Sequence, residues 1–223
     1  MKLHKAVTDA LLNGRSIMKL DCPKTPLGLI DLRGYAAPKD IKRVKSRKGN
    51  WNSFVHESIR IKKQHLEGVD LSYSDLEACE FFKSSFSHCQ FEEVNVKETK
   101  FWGCLFDHSI FKKTAFTHAV FQPFRVFFPE RRINFNEVRF DHCNLTGVYM
   151  EKQGLAHCLF IQSKTTNLHF YRCQFNQVHF TGTVEKLQLS KNKIDLLDLE
   201  EAKLSGMNLE EQALDGIRLP DAS

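Results

Sequence analysis

An apolar residue recurs at every fifth position along most of this chain, and no other feature limits its folding so strongly. In "CEFFKSSFSHCQFEEVNVKETKFWGCLFDHSIFKKTAFTHAVF", residues 79–121, the positions Phe81, Phe86, Phe91, Val96, Phe101, Phe106, Phe111, Phe116 and Phe121 keep the interval without a slip. A helix repeats about every 3.6 residues and a strand every 2.0 or so, and five fits neither. Upstream the grid continues through Leu76, Leu71, Leu66 and Ile61. After a break it resumes at Phe135 and runs to Phe180, then shifts by a one-residue deletion and runs from Val184 to Leu219. Among these grid positions only Thr165 is not apolar, in a chain with 42% hydrophobic residues.

The position two before each centre is restricted as well. In the first block it reads Val69, Ser74, Cys79, Ser84, Cys89, Val94, Thr99, Cys104, Ser109, Thr114 and Ala119, all small or β-branched. One large and one small inward residue per five describe a backbone that turns a corner every five residues. Four corners close a square coil of 20 residues, and the next coil stacks about 4.8 Å above it, as neighbouring strands do. Leu66, Phe86 and Phe106 are then expected in one column, and Leu71, Phe91 and Phe111 in the next.

At this point the sequence resembles the pentapeptide-repeat proteins, whose repeat is A-[D/N]-L-x-x. "VDLSYSDLEACEF", "CNLTG" and "AKLSGMNLEE" carry the likeness. The resemblance implies an all-β fold, a right-handed quadrilateral β-helix of about eight coils in which each coil touches only its neighbours. The expected division is a basic N-terminal cap region over 1–58 and the β-helix over 59–219.

Charge is uneven along the chain. Residues 1–65 hold 15 Lys/Arg against 5 Asp/Glu, and residues 66–223 hold 17 against 22. Such asymmetry points to a charged partner. In the head, Lys5 to Leu12 predicts a short helix stopped at Asn13–Gly14, and Ile30 and Leu32 read as inward residues of an extended piece. After Pro38, "KDIKRVKSRKG" predicts a basic helix ending at Gly49. Its six cations, Lys39, Lys42, Arg43, Lys45, Arg47 and Lys48, form a candidate patch for nucleic-acid phosphates. Capping the first coil is the head's simpler duty, since an open sheet edge recruits other chains.

The grid fails in "QPFRVFFPERRI", where two prolines cannot both donate to a ladder. A loop over 122–132 is expected to leave the coil. Phe124, Arg125, Phe127, Phe128, Arg131 and Arg132 are its candidate partner-binding residues, because aromatics and arginines anchor interfaces. At the other end Leu209, Leu214, Ile217 and Leu219 leave an apolar surface, and an end-to-end homodimer would cover it.

The chemistry of enzymes is missing from the pattern. There is no phosphate loop, no G-x-S-x-G and no H-E-x-x-H. His88 and His108 lie 20 apart and should stack, but the residue one coil below is Gly68, so no third metal ligand is expected. Seven cysteines, an odd number without a C-x-x-C pair, indicate a reducing compartment. No membrane span and no signal peptide is read from the sequence, so the expected location is cytoplasmic.

The expectation is therefore a non-catalytic scaffold that binds a macromolecular partner, without cofactor or metal. The resemblance adds a sharper alternative. The quinolone-resistance type of the family mimics B-form DNA, dimerises through its C-termini and binds DNA gyrase or topoisomerase IV. The basic head and isoelectric point near 8.8 depart from that pattern. Nucleic-acid binding through the head and a role in bacterial competition are further alternatives. A continuous negative stripe along the rod would favour a topoisomerase, and a positive patch beside the loop would favour nucleic acid.

Overall fold

The computed structural model describes residues 2–38, 40–44, 53–57, 59–123 and 133–221. Short parallel strands stack coil upon coil, and their register confirms the square reading. Ile61 pairs with Phe81, Phe81 with Phe101 and Phe101 with Phe121, each 20 residues on. The column continues through Met150, Phe170, Leu189 and Leu209, which makes eight levels. We name the four sides by their central residues: face one from Ile61, face two from Leu66, face three from Leu71 and face four from Leu76.

The core is a set of aromatic columns. Phe86 and Phe106 stack with ring centroids 4.9 Å apart and planes 6° apart, and Phe135 follows at 5.0 Å. Phe91 and Phe111 stack at 4.4 Å, and Phe160 and Phe180 at 4.2 Å. Neighbouring columns meet edge to face, as between Phe101 and Phe106 at 73°. Offset stacks and edge contacts are the favoured aromatic geometries, so one residue type fills the axis in two directions. Thr165, the polar exception on the grid, is buried, and its hydroxyl accepts the Glu185 backbone N–H at 3.0 Å.

The small position two before each centre has a second duty. Thr99 donates to the Leu76 carbonyl at 2.7 Å and Thr114 to the Phe91 carbonyl at 2.7 Å, each to the coil below. Cys104, Cys158 and Cys173 make the equivalent S–H contacts to Phe81, Phe135 and Met150. Small side chains here let the backbone close on the axis and also tie successive coils.

Most corners turn through a left-handed residue two after the centre, for example Lys63 (φ 50°), Lys83 (φ 50°), His88 (φ 51°) and His108 (φ 45°). A non-glycine residue there costs about 1–2 kcal/mol. The turn aims its N–H at the next coil, as in Lys63 to Phe82 and His88 to Asp107, and the coil-to-coil ladder offsets the strain. After Phe180 the missing residue opens two corners, and Val178–Ser190 and Ala202–Glu210 run as long strands paired side by side.

The head closes the lower end. Helix α1, Lys2–Leu12, buries Val7, Ala10 and Leu11 along one stripe and packs on the strand Arg60–Lys62. It ends as expected at Gly14, φ 64°: the Arg15 N–H reaches the Ala10 carbonyl at 2.8 Å and the Gly14 N–H the Leu11 carbonyl. Strand β1, Ile30–Asp31, pairs in parallel with Val69–Asp70, and Ala36 bridges to Asp75. The head thus supplies parts of faces three and four beneath the first full coil, with Leu32 and Tyr35 buried.

The basic helix expected after Pro38 does not form. Strand β2, Asp40–Val44, instead pairs antiparallel with β3, Ser53–Glu57, in a hairpin. The segment has no apolar stripe to hold a helix against the rod. Its β-branched Ile41 and Val44 suit a strand, and Ser53–Glu57 supplies the pairing backbone.

Candidate interaction surface

Two stretches interrupt the five-residue grid on either side of face one. The first falls between Ala37 on face four and Ile59, just before Ile61. The second falls between Phe121 on face one and Phe135 on face two. At its end, the Asn134 side chain replaces a small corner residue. It donates to the Cys104 carbonyl and accepts the Gly154 N–H at 3.1 Å. The candidate residues Phe124, Arg125, Phe127, Phe128, Arg131 and Arg132 lie outside the described residues, as do Lys39, Lys45, Arg47 and Lys48. Lys42 and Arg43 fall in β2, on the hairpin rather than on a helix.

The far end of the rod is incompletely covered. Leu204, Met207, Leu209 and Ile217 are half-buried against the core. Leu214 is 56% exposed and Leu219 43% exposed, although both sit on the five-residue grid. The expectation that Leu214 points inward is corrected: it lies in the turn before Ile217, and no described coil packs above it. Gln212 closes the adjacent corner by accepting the Asn192 N–H at 2.7 Å and donating to the Asn192 carbonyl. Glu210, Glu211 and Asp215 ring this end and are exposed, with Glu211 3.0 Å from Lys191.

The histidine column forms on the corner between faces two and three. His88 and His108 stack at 5.0 Å with planes 10° apart. His108 also meets Asp107 through Nδ1 and Glu137 through Nε2, both at 3.0 Å. Sequence spacing missed Glu137, because the insertion places it 29 residues from His108 rather than 20. The hydrogen bond of His108 to Asp107, aided by the charges of Asp107 and Glu137, raises the His108 pKa. The Asn136 amide and His108 lower that of Asp107. Among the described residues no cluster of three or more His, Cys, Asp or Glu is placed to hold a metal ion.

Burial pushes the thiols of Cys89, Cys104, Cys143, Cys158 and Cys173 up to about 12, so they stay protonated and unreactive. The axis is packed with side chains, and the depressions lie on the outer surface, one of them lined by Glu137, Arg139, His157 and Leu159. No helix among the described residues is long and apolar enough to cross a membrane.

Comparison with known proteins agrees with the repeat. The family model of pentapeptide repeats, in eight copies, matches residues 65–97 and 84–122. No curated protein sequence matches the chain. Among solved structures, a trypsin-treated form of QnrB1, a plasmid-mediated fluoroquinolone resistance protein, is similar at 15% identity and a TM-score of 0.40. That match covers 68% of this chain and 82% of that one. HetL, a pentapeptide-repeat protein involved in heterocyst differentiation regulation in the cyanobacterium Nostoc sp. strain PCC 7120, matches at 17% identity and a TM-score of 0.30. It covers 74% of this chain and 90% of its own.

Proposed function

We propose that this chain, a pentapeptide-repeat protein, is a non-catalytic scaffold that docks a protein partner on its outer surface. The filled axis carries the reading. Phe86, Phe106, Phe135 and Phe175 occupy the space in which a solenoid would hold a small molecule, at 2% exposure or less. Recognition is left to the faces, the corners and the two insertions. The finer reading, a partner of the DNA gyrase or topoisomerase IV type, rests on the resemblance of the repeat and on an apolar end suited to pairing with a second copy. Leu209, Leu214, Ile217 and Leu219 would form that two-fold contact.

Immobilised full-length protein and a variant lacking 122–132 test the scaffold reading in a bacterial lysate. A stoichiometric protein retained by the first and lost by the second supports it, and retention by neither overturns it. Purified gyrase and topoisomerase IV test the finer reading separately. Unchanged supercoiling and decatenation, with and without a quinolone, would remove it. Sedimentation should give twice 25.9 kDa for the wild type and a single copy for Leu214→Arg.

A further inference from the structure

Outward charge on this rod is sorted by face. On each level three residues point outward: one before the central residue, one after it, and the corner residue that follows. Over the seven levels from Ile61 to Leu189, face one holds eight Lys/Arg against Glu80 and Glu151. The same positions on the next seven-level columns hold one cation against four carboxylates on face two, three against seven on face three, and four against four on face four. A mildly acidic rod therefore carries one cationic side.

The cations of face one are also differently placed from those elsewhere. On face three Lys112, Lys113 and Arg139 each meet a carboxylate, at 2.8, 3.1 and 2.6 Å. On face one Glu80 is shared by Arg60 at 2.7 Å and Lys100 at 3.5 Å, and at the upper end Lys191 meets Glu211 at 3.0 Å. Lys62, Lys63, Lys152 and Arg172 form no ion pair among the described residues. The corner after face one stacks Lys63 under Lys83, and later Lys152 under Arg172 under Lys191. Like charges directly opposite one another on neighbouring strands are destabilising. The fold does not require them, since the corresponding corners elsewhere hold Ala78, His88, Gly147 or Asn167 with the same left-handed backbone.

Face one also carries outward rings that the core does not use, three of them one after the central residue and Tyr149 one before it. Phe82, Trp102, Tyr149 and Tyr171 point outward on it and are half-exposed. Arg60 lies 5.9 Å from the Phe82 ring centre and Arg172 5.1 Å from that of Tyr171, so cations and rings are interleaved. Faces two and four carry no outward Phe, Trp or Tyr on these levels, and face three carries only Tyr73.

We propose that face one binds single-stranded nucleic acid, with phosphates along the basic corner and bases against Trp102, Tyr149 and Tyr171. The basic corner runs six steps of roughly 4.8 Å, about 30 Å, from Lys63 to Lys191, interrupted at Gly103 and Pro123, and the rings span four of those steps, from Phe82 to Tyr171. That length suits a site of about 4–16 nucleotides, the range for single-strand platforms, where a positive track follows the backbone and aromatic rings take the bases. A duplex hides its base faces and would leave the rings unused. An acidic polypeptide satisfies the charge but does not present an aromatic base at every unit to match the rings.

Fluorescence anisotropy with the full-length protein tests this. The probes are labelled oligothymidylate and oligouridylate of about 20 nucleotides, a duplex of equal length and a labelled poly-glutamate. The single strands should bind, and the logarithm of affinity should fall linearly with that of salt between about 50 and 200 mM, by roughly 0.7 per phosphate neutralised. The double variant Lys152→Glu, Arg172→Glu should weaken binding at least about tenfold and flatten the salt slope. Trp102→Ala should weaken it about tenfold with the slope unchanged, and Lys112→Glu on face three should change it less than about twofold. Circular dichroism of each variant, matched to wild type, shows that the rod is intact. The proposal is overturned if no single strand binds at the lowest salt, if duplex or poly-glutamate binds as tightly, or if the folded face-one variants bind like wild type.

Discussion

The middle coils and the last coil are built from the same repeat, yet they differ in everything that burial measures. Phe106 lies between Phe86 and Phe135, with stacked rings on both sides, and is 2% exposed. Leu219 occupies an equivalent grid position and is 43% exposed. The spacing of the repeat chooses which side chains point inward, but the coil above and the coil below do the burying. A repeat has no core of its own. At the lower end α1 and β1 supply the missing neighbour, whereas nothing among the described residues covers Leu214 and Leu219.

Truncation gives the largest expected contrast. Phe106→Ala removes a ring from the middle of a column and should destabilise by about 3–5 kcal/mol. Leu219→Ala should cost under about 0.5 kcal/mol, as for surface substitutions. Urea unfolding followed by circular dichroism measures both, and equal losses would break the comparison.

A smaller effect is expected at the last corner. Gly216 has φ +79°, and an added Cβ would stand 2.5 Å from the Ile194 carbonyl oxygen. Gly216→Ala should therefore detach Ile217 and Arg218 from Leu197 and Asp198 while the middle coils stay paired. Amide exchange that rises at Leu197 and Leu199 but not at Ile110 would confirm a local loss.

The smallest effect concerns the exposed corner at His108. Its raised pKa means that the ion pairing stabilises fully below the ordinary histidine value of 6.5 and fades as pH climbs through the raised value. The lowered pKa of Asp107 means that its share is present above the ordinary 3.8 and is lost as pH falls through the lowered value. The pairing is thus fullest between those two ordinary values. In an NMR titration, Asp107→Asn should lower the His108 midpoint more than Glu137→Gln, because the Asp107 hydrogen bond is the leading cause.

Legibility followed the same division between local spacing and neighbours. The five-residue grid and its one-residue deletion were readable, because each inward residue announces itself by size. The Ser, Thr and Cys positions were readable as small, but their hydrogen bonds to the coil below were not, since the acceptor lies 23 residues away. Glycines at Gly68, Gly103 and Gly147 mark the left-handed corner, a signal that only becomes visible once the turn is known. Residues 30–37 escaped the grid because the hairpin shifts their register to 39 residues, as in Ile30 to Val69. The segment Asp40–Val44 reads as a helix for a related reason: lysine and arginine favour helices locally, and its pairing strand, Ser53–Glu57, lies further along the chain. The sorting of charge by face appears only when corners are stacked.

Residue-resolved hydrogen exchange on the Leu214→Arg variant tests most directly whether neighbouring coils, rather than the repeat, supply stability. The amides of Leu105 and Ile110, which bond to Ser84 and Cys89 in the coil below, should be the most protected. That of Ile217, in the last coil, should exchange fastest, with protection falling progressively from Leu187 onward. Equal protection at Ile217 and Ile110 would contradict the account.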